Sequence, residues 1–291
     1  MKFWQSTAFN DPTELVEIAV AAEVAGFEGL LVSEHLFVPE KYEPTYLYSE
    51  TGRPDFTPET PFPEPWCAIS AMATATKRLR FSTMVYILPL HHPLEVSKAL
   101  SGAAIFSENR VILGAGAGWM REEFDTMGVP FETRGKRFDE MIDVLRKLWA
   151  GGMVEHHGHF FDFGPLQQSP APTRQVPIYI GGMSAPALRR AARLGDGWLG
   201  AGSTPDEAAE ILTTLRTLRE QAGRLDEPFE AIVPLVVPPE PDTFARLSDL
   251  GASGTVNYPF AYTIGPQATL QQKLDALAQF GETVIAPLAG S

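Results

Sequence analysis

Leu79-Arg80-Phe81-Ser82-Thr83-Met84-Val85-Tyr86-Ile87-Leu88 is an apolar run of strand length. Leu94–Phe106 follows with helical spacing, and Arg110-Val111-Ile112-Leu113 is a second apolar run that leads into Gly114-Ala115-Gly116-Ala117-Gly118. A strand, a helix and a strand in this order make one unit of a parallel sheet with a right-handed crossover. The alternation extends both ways. Upstream, Lys2–Thr7 reads as a strand and Pro12–Ala25 as a helix, with Asp11 as N-cap, Pro12 at the first helical position and Gly26 just past the end. Gly29–Ser33 is the next strand, and a helix runs from Pro65 to about Thr76. Downstream, Arg134–Trp149 carries Phe138, Met141, Ile142, Leu145 and Leu148 at helical spacing, and Pro177–Ile180 is a short buried-type strand. Pro186–Leu194, Trp198–Leu199, Pro205–Ala222, Ala231–Val237, Thr243–Leu250, Thr255–Val256 and Leu270–Phe280 complete the series.

Roughly eight such units favour closure into a (β/α)8 TIM barrel over an open sheet. No composition break divides residues 1–291, so a single domain is expected. Two segments interrupt the rhythm: residues 39–65, rich in proline and aromatics, and residues 151–173. Insertions of that length form lids, interfaces or parts of the functional end.

Composition removes several classes of function. Lys and Arg number 23 against 36 Asp and Glu, a net charge of -13, which repels nucleic acid phosphates and anionic membranes. No stretch of about 18 consecutive apolar residues is present, so no membrane span is expected. The start, Met1-Lys2-Phe3-Trp4-Gln5-Ser6-Thr7, carries no secretion signal, and a cytoplasmic location is the expectation. One cysteine, Cys67, can build neither an internal disulfide nor a cysteine metal site. His156-His157-Gly158-His159 reads as a solvent-exposed hairpin, and no metal is expected there.

Barrel chemistry gathers where strands end at their C-terminal face. Strand two ends in Ser33-Glu34-His35, and a histidine beside a carboxylate serves as general acid or base near neutral pH. Of the two, His35 is the principal catalytic candidate and Glu34 the weaker, because neighbours on an extended chain point opposite ways. Gly114–Gly118 would let a ligand approach the backbone, but Trp119 stands where a dinucleotide fingerprint needs its third glycine. Gly181-Gly182-Met183-Ser184 opens the helix with Pro186, and free amides at a helix N-terminus suit an anion. His91-His92-Pro93 begins the third helix.

These residues resemble the luciferase-like flavin and deazaflavin oxidoreductases. The resemblance rests on Val32-Ser33-Glu34-His35, on Thr83-Met84-Val85 with Leu88-Pro89 and His92-Pro93, and on Gly114–Trp119 with Glu122-Glu123-Phe124 and Gly128-Val129. Pro177–Gly182 and Ala191–Trp198 close the set, and the likeness thins beyond residue 202. It implies a bacterial-luciferase-like TIM barrel holding a flavin across the C-terminal mouth. The tighter likeness is to the branch that uses the deazaflavin coenzyme F-420, with FMN as the alternative.

By that resemblance Met84–Val85 lies at a bulge with a cis peptide behind the ring, with Thr83 beside it. Gly181, Gly182, Met183 and Ser184 face the phosphate, Gly116, Ala117, Gly118 and Trp119 line the ring or its side chain, and His35 stands near the reacting carbon. Sugar-phosphate dehydrogenases of the family carry glutamate directly after the strand-four glycine run, where this chain has Trp119. The implied activity is hydride transfer between a deazaflavin and a small organic substrate. Alternatives are an FMN monooxygenase fed by a partner flavin reductase, and a non-catalytic flavin-binding protein. Phe37, Tyr42, Tyr46, Tyr48, Phe56, Phe62 and Trp66 offer an aromatic pocket wall. A homodimer is also expected, through the apolar face of Leu94–Phe106 and exposed Phe160, Phe161 and Phe163.

Overall fold

A computed structural model describes residues 1–43, 45–49, 51–238 and 240–289. Pro44 and Glu50, within the first insertion, lie outside the described residues. The barrel strands are β1 (Lys2–Ser6), β2 (Gly29–Val32), β3 (Arg80–Thr83) continued by β4 (Tyr86–Ile87), and β5 (Val111–Gly116). After an antiparallel hairpin of β6 (Val154–His157) and β7 (Asp162–Leu166) come β8 (Ile178–Gly181), β9 (Gly197–Leu199), β10 (Glu230–Ile232) and β11 (Gly254–Asn257). All barrel neighbours are parallel: Lys2 pairs with Gly254, Leu30 with Phe81, Phe81 with Val111, Ala115 with Ile180, and Tyr179 with Gly197. Because β3 pairs with both β2 and β5 while β11 pairs with β1, the sheet closes on itself as the (β/α)8 barrel expected from the alternation.

The surrounding helices are α1 (Leu15–Val24), α2 (Pro65–Thr74), α3 (Pro93–Phe106), α4 (Arg121–Thr126), α5 (Arg134–Trp149), α6 (Ala185–Leu194), α7 (Pro205–Gln221) and α8 (Pro241–Asp249). A short α9 (Phe260–Thr263), α10 (Leu270–Phe280) and a final turn, α11 (Ala286–Ala289), follow. Their caps follow the sequence: Asp11 accepts from Thr13 N–H, Ser184 from Ala187 N–H, and Thr204 with Glu207 and Thr269 with Gln272 form reciprocal capping boxes.

Two main apolar cores and a smaller cluster of Ile87, Leu90 and Phe124 result among the described residues. One fills the space between strands and helices, from Phe3 and Ile18 round to Leu277. The other plugs the barrel itself with Trp4, Leu31, Ile112, Tyr179, Leu199, Ile232 and Val256, and Met84 and Val85 pack against it half-buried. Among the described residues no helix is long and apolar enough to cross a membrane.

The structure differs from the sequence expectations in four places. The run Leu79–Leu88 is not one strand, since a cis peptide between Met84 and Val85 separates β3 from β4, and Leu88–Leu90 is a 3-10 turn. The glycine run does not merely follow strand four: β5 continues through Gly114, Ala115 and Gly116, because β8 and β4 supply pairing partners that far. In the hairpin His157 is exposed as expected, but His156 is buried, its Nε2 3.2 Å from Glu140 Oε1. Phe161 is also buried, with the Arg137 guanidinium 4.4 Å from its ring centre, and the apolar face of α3 (Val96, Leu100, Ala103, Ala104) is turned into the core. Neither of these two is available as a dimer surface.

Candidate functional site

The C-terminal mouth of the barrel is assembled from the ends of β2, β4, β5 and β8, with residues of the first insertion against them. Beyond β2 the chain is extended, so Glu34 and His35 diverge. Glu34 turns into the wall: its carboxylate accepts from Ile87 N–H and lies 2.7 Å from His91 Nε2. His91 in turn stacks on Tyr86 at 4.3 Å. Burial, reinforced by the Glu34 charge, pushes the Tyr86 phenol well above its ordinary pKa. Glu34 is thereby a brace between β4 and the turn before α3.

His35 faces the other way. Its Nδ1 lies 3.1 Å from Oε2 of Glu123, whose Oε1 accepts from Leu36 N–H at 3.1 Å. The Glu123 side chain is completely buried and that of His35 is 9% exposed. Leu36 N–H holds this carboxylate in place, and with Nδ1 facing Glu123 the other ring nitrogen, Nε2, has no hydrogen-bond partner among the described residues. A histidine oriented by a buried carboxylate is the arrangement that proton transfer requires. Three rings wall His35: Phe56 at 4.7 Å, Phe62 at 5.1 Å and Trp119 at 6.1 Å between ring centres. Trp119 also meets Tyr42 at 5.9 Å and Tyr46 at 5.1 Å, so the insertion and the β5 loop form a shared aromatic cage.

The glycines are tied to the bulge. A Cβ on either Gly116 or Gly181 would overlap the Val85 side chain, so bare backbone on β5 and β8 receives that side chain between them. Val85 and Met84 thus form an apolar floor on which a flat ring can lie. Thr83 is below this floor, buried, with its hydroxyl donated to Gly114 O at 2.7 Å. Gly118 has φ +80° and sits against Phe124 and Ile87, so a side chain there is refused both by conformation and by space. Ala117 and Trp119 are half-buried on either side of it.

Gly182, with φ +116°, turns the chain from β8 into α6. Met183 is half-buried, and Ser184 is an exposed N-cap. Across this turn lies the insertion: the Tyr48 hydroxyl would stand 3.7 Å from a Cβ placed on Gly182. Backbone donors at the start of a ten-residue helix, beside a glycine with no Cβ in the way, fit a phosphate. The floor and this cradle together accommodate a ring joined to a phosphorylated side chain.

The structure brings His35, Trp119, Met84, Val85 and the Gly181–Ser184 turn to one face. It places Glu34 and Thr83 behind that face. Sequence reasoning assigned no role to Glu123 or His91, and gave Tyr48 a place in an aromatic pocket wall. Glu123 is presented by α4, a six-residue helix whose Phe124 is locked among Ile87, Leu90, Val129 and Phe131. No local spacing signals that its neighbour would reach back 88 residues to His35.

A closed parallel barrel with a carboxylate-held histidine, a bulge floor and a glycine cradle at its C-terminal mouth defines a luciferase-like oxidoreductase. The chain belongs to the luciferase-like monooxygenase family, whose pattern it matches over residues 3–278. It is similar to an uncharacterised protein of Mycobacterium tuberculosis, 38% identical over 288 residues, covering 98% of this chain and 99% of the relative. It is also similar to the F420-dependent glucose-6-phosphate dehydrogenase of Gordonia bronchialis, 29% identical over 76% of this chain and 62% of that protein. Among solved structures, the coenzyme F420 dependent tetrahydromethanopterin reductase of Methanopyrus kandleri superposes with a TM-score of 0.76 at 16% identity, covering 99% of both chains.

Proposed function

We propose that this enzyme transfers a hydride between the deazaflavin coenzyme F-420 and a small organic substrate. The observation that carries the reading is His35, held at Nδ1 by buried Glu123 and walled by Phe56, Phe62 and Trp119. When bound, the coenzyme supplies a ring carbon that gives or takes a hydride. The rest is the work of the chain. Gly181, Gly182, Met183 and Ser184 hold the phosphate; Met84 and Val85 back one ring face; Gly116, Ala117, Gly118 and Trp119 border it. The aromatic cage takes the apolar body of the substrate and excludes water. His35 Nε2 takes a proton from the substrate oxygen, or returns one, while Glu123 stabilises the imidazolium. Glu34 acts through Ile87 and His91 as a positioning residue.

Titration of the purified chain with F-420 and with FMN, followed by fluorescence quenching, tests the reading. Micromolar or tighter F-420 binding with weaker FMN binding is expected. Tight FMN with no F-420 binding replaces it with the monooxygenase reading and its reductase partner. Binding without turnover leaves a flavin carrier. A homodimer is part of the same proposal; on α3 the exposed large apolar residues are Ile105 and Phe106 at its end, 40% and 63% exposed. A scattering mass of 31.8 kDa at working concentration removes it.

A further inference from the structure

We propose that the groove between the ends of β10 and β11 and the first insertion holds the apolar arm of the substrate, and that Asp55 selects arms ending in an amine over arms ending in an acid. The inference deepens the reading of His35 as the reacting end and rests on it. The groove measures about 500 Å³, within the range of small-molecule sites, and is lined by Leu235, Val236, Val237, Tyr258, Tyr262 and Asp55. Leu235–Val237 follow β10, Tyr258 follows β11, and Tyr262 stands on α9. Because the barrel strands are parallel, these ends share a rim with the end of β2, and β1 alone separates β11 from β2. The insertion bridges the two places: Asp55 lines the groove, while the next residue, Phe56, lies 4.7 Å from His35 between ring centres.

The lining is apolar except at one point. The Tyr258 hydroxyl is buried without a hydrogen-bond partner among the described residues, tucked where a Cβ on Gly202 would come within 2.6 Å of it. Tyr258 therefore turns ring carbon to the groove. The Tyr262 hydroxyl is committed to Asp55, donated at 3.0 Å. Burial, followed by that hydrogen bond and the Asp55 charge, holds the Tyr262 phenol above its ordinary pKa, so it stays a donor through the neutral range. The carboxylate is thereby fixed at the groove with acceptor capacity left over, and no lysine or arginine is in the lining. An apolar surface rimmed by one oriented carboxylate fits an alkyl or aryl arm whose far end is an ammonium group. A neutral arm is held by apolar contact alone, whereas a carboxylate or phosphate at that end meets a like charge and no cation. Asp55 is exposed, so the contrast is modest: attraction of the amine and repulsion of the acid together give about five- to tenfold.

The test reads displacement of N-phenyl-1-naphthylamine, a neutral fluorophore that brightens in apolar surroundings, from the full-length protein by decylamine, decanol and decanoate at matched ionic strength. Decylamine and decanol should displace it, with decanoate at least about fivefold weaker than decylamine. Asp55→Asn should bring amine and acid within about twofold of each other. Glu59→Gln removes an exposed carboxylate of the same insertion outside the groove lining; it should leave the contrast in place, which separates Asp55 from the net charge of -13. Val236→Arg, at an exposed position, should reverse the order in favour of decanoate. Decylamine should also shift the ring-proton resonances of His35, assigned by their absence in His35→Ala. No displacement, a preference for decanoate, an equal effect of Glu59→Gln, or an unchanged series in Val236→Arg each overturns the proposal. Binding that leaves the His35 resonances in place separates the groove from the reacting end and overturns its role as the substrate's arm. Because the assay needs no coenzyme, its failure beside tight F-420 binding removes the groove alone. The expected pattern in a protein that binds no F-420 leaves the groove and its selectivity standing while the deazaflavin reading falls.

Discussion

The two ends of the barrel are built on opposite electrostatic plans. At the N-terminal end, Lys2, Glu28, Arg80 and Glu230 close on one another: Lys2 lies 3.0 Å from Glu230 and 3.2 Å from Glu28, and Arg80 lies 2.8 Å from Glu28 and 3.0 Å from Glu230. Tyr179 completes the set by accepting from Arg80 at 3.1 Å. Burial alone would favour the neutral acid at Glu230, but Arg80 and Lys2 override it and hold its carboxyl below the ordinary range. Every charge in this group has its partner within the group. At the C-terminal end the groups are left incomplete: His35 is engaged at Nδ1 by Glu123 with no partner at Nε2 among the described residues, and the Gly182 backbone is left bare beside the Tyr48 hydroxyl. A closed network contributes stability, whereas an open set of donors and acceptors is available to a ligand.

Five changes would break or sharpen that contrast. The largest effect is expected for His35→Ala, with turnover down by about 10²–10⁴ while cofactor affinity and melting temperature stay close to wild type. Near wild-type turnover in the folded variant would make His35 a wall residue. Glu123→Gln should approach the same loss, since an amide facing Nδ1 favours the wrong tautomer, and the pH profile of kcat/KM should shift as well. A packing role alone would leave that profile in place.

Gly182→Val comes next. It forces a β-branched side chain into φ +116° and against Ala187, so phosphate-bearing ligands should lose at least about tenfold in affinity while the circular dichroism spectrum of the barrel persists. Unchanged affinity would remove the cradle.

At the opposite end, Arg80→Met should lower unfolding free energy by about 1–3 kcal/mol, because it leaves Glu28 and Glu230 to share Lys2 as their one cation, with little effect on turnover. Denaturant melts and rates measured together decide whether the ends are independent. The smallest effect is a pH dependence. Glu230 has a lowered folded pKa, so its stabilisation is present above the unfolded value, near 4.3–4.5, and is lost as pH falls through the folded value. Glu230→Gln should therefore lose stability at pH 7 and show a shallower decline below about pH 4.5 than wild type. A parallel decline would mean that Glu230 is not linked to folding.

Much of the barrel could be read along the chain because its signals are local. Asp11, Pro12 and Gly26 mark a helix whatever surrounds it, and short apolar runs separated by helical patterns require parallel crossovers. Gly181-Gly182 before Pro186 announced the turn into α6 for the same reason. The division of Leu79–Leu88 was not legible in periodicity, which sees ten apolar-rich residues and not the loss of the β2 partner beyond Thr83, where β4 keeps β5 alone. Phe160, Phe161 and Phe163 looked exposed because a polar hairpin surrounds them in sequence. Glu140, which accepts from the N–H groups of His159, Phe160 and Phe161, folds that hairpin back on α5 and buries the middle ring.

The sequence by itself determined the alternation, the caps, the glycine positions and the presence of a histidine and a carboxylate at the end of β2, since each depends on backbone preferences within a few residues. Only the tertiary structure decided which carboxylate serves His35. Glu34, its neighbour, is carried to the wall by the alternation of an extended chain, while Glu123 arrives on α4, after β5, two strands round the barrel from β2. It likewise decided that Tyr48 of the insertion comes to lie beside Gly182, in the turn before α6. Such pairings are set by barrel closure, which brings distant loops onto one rim, and separation along the chain carries no record of that geometry.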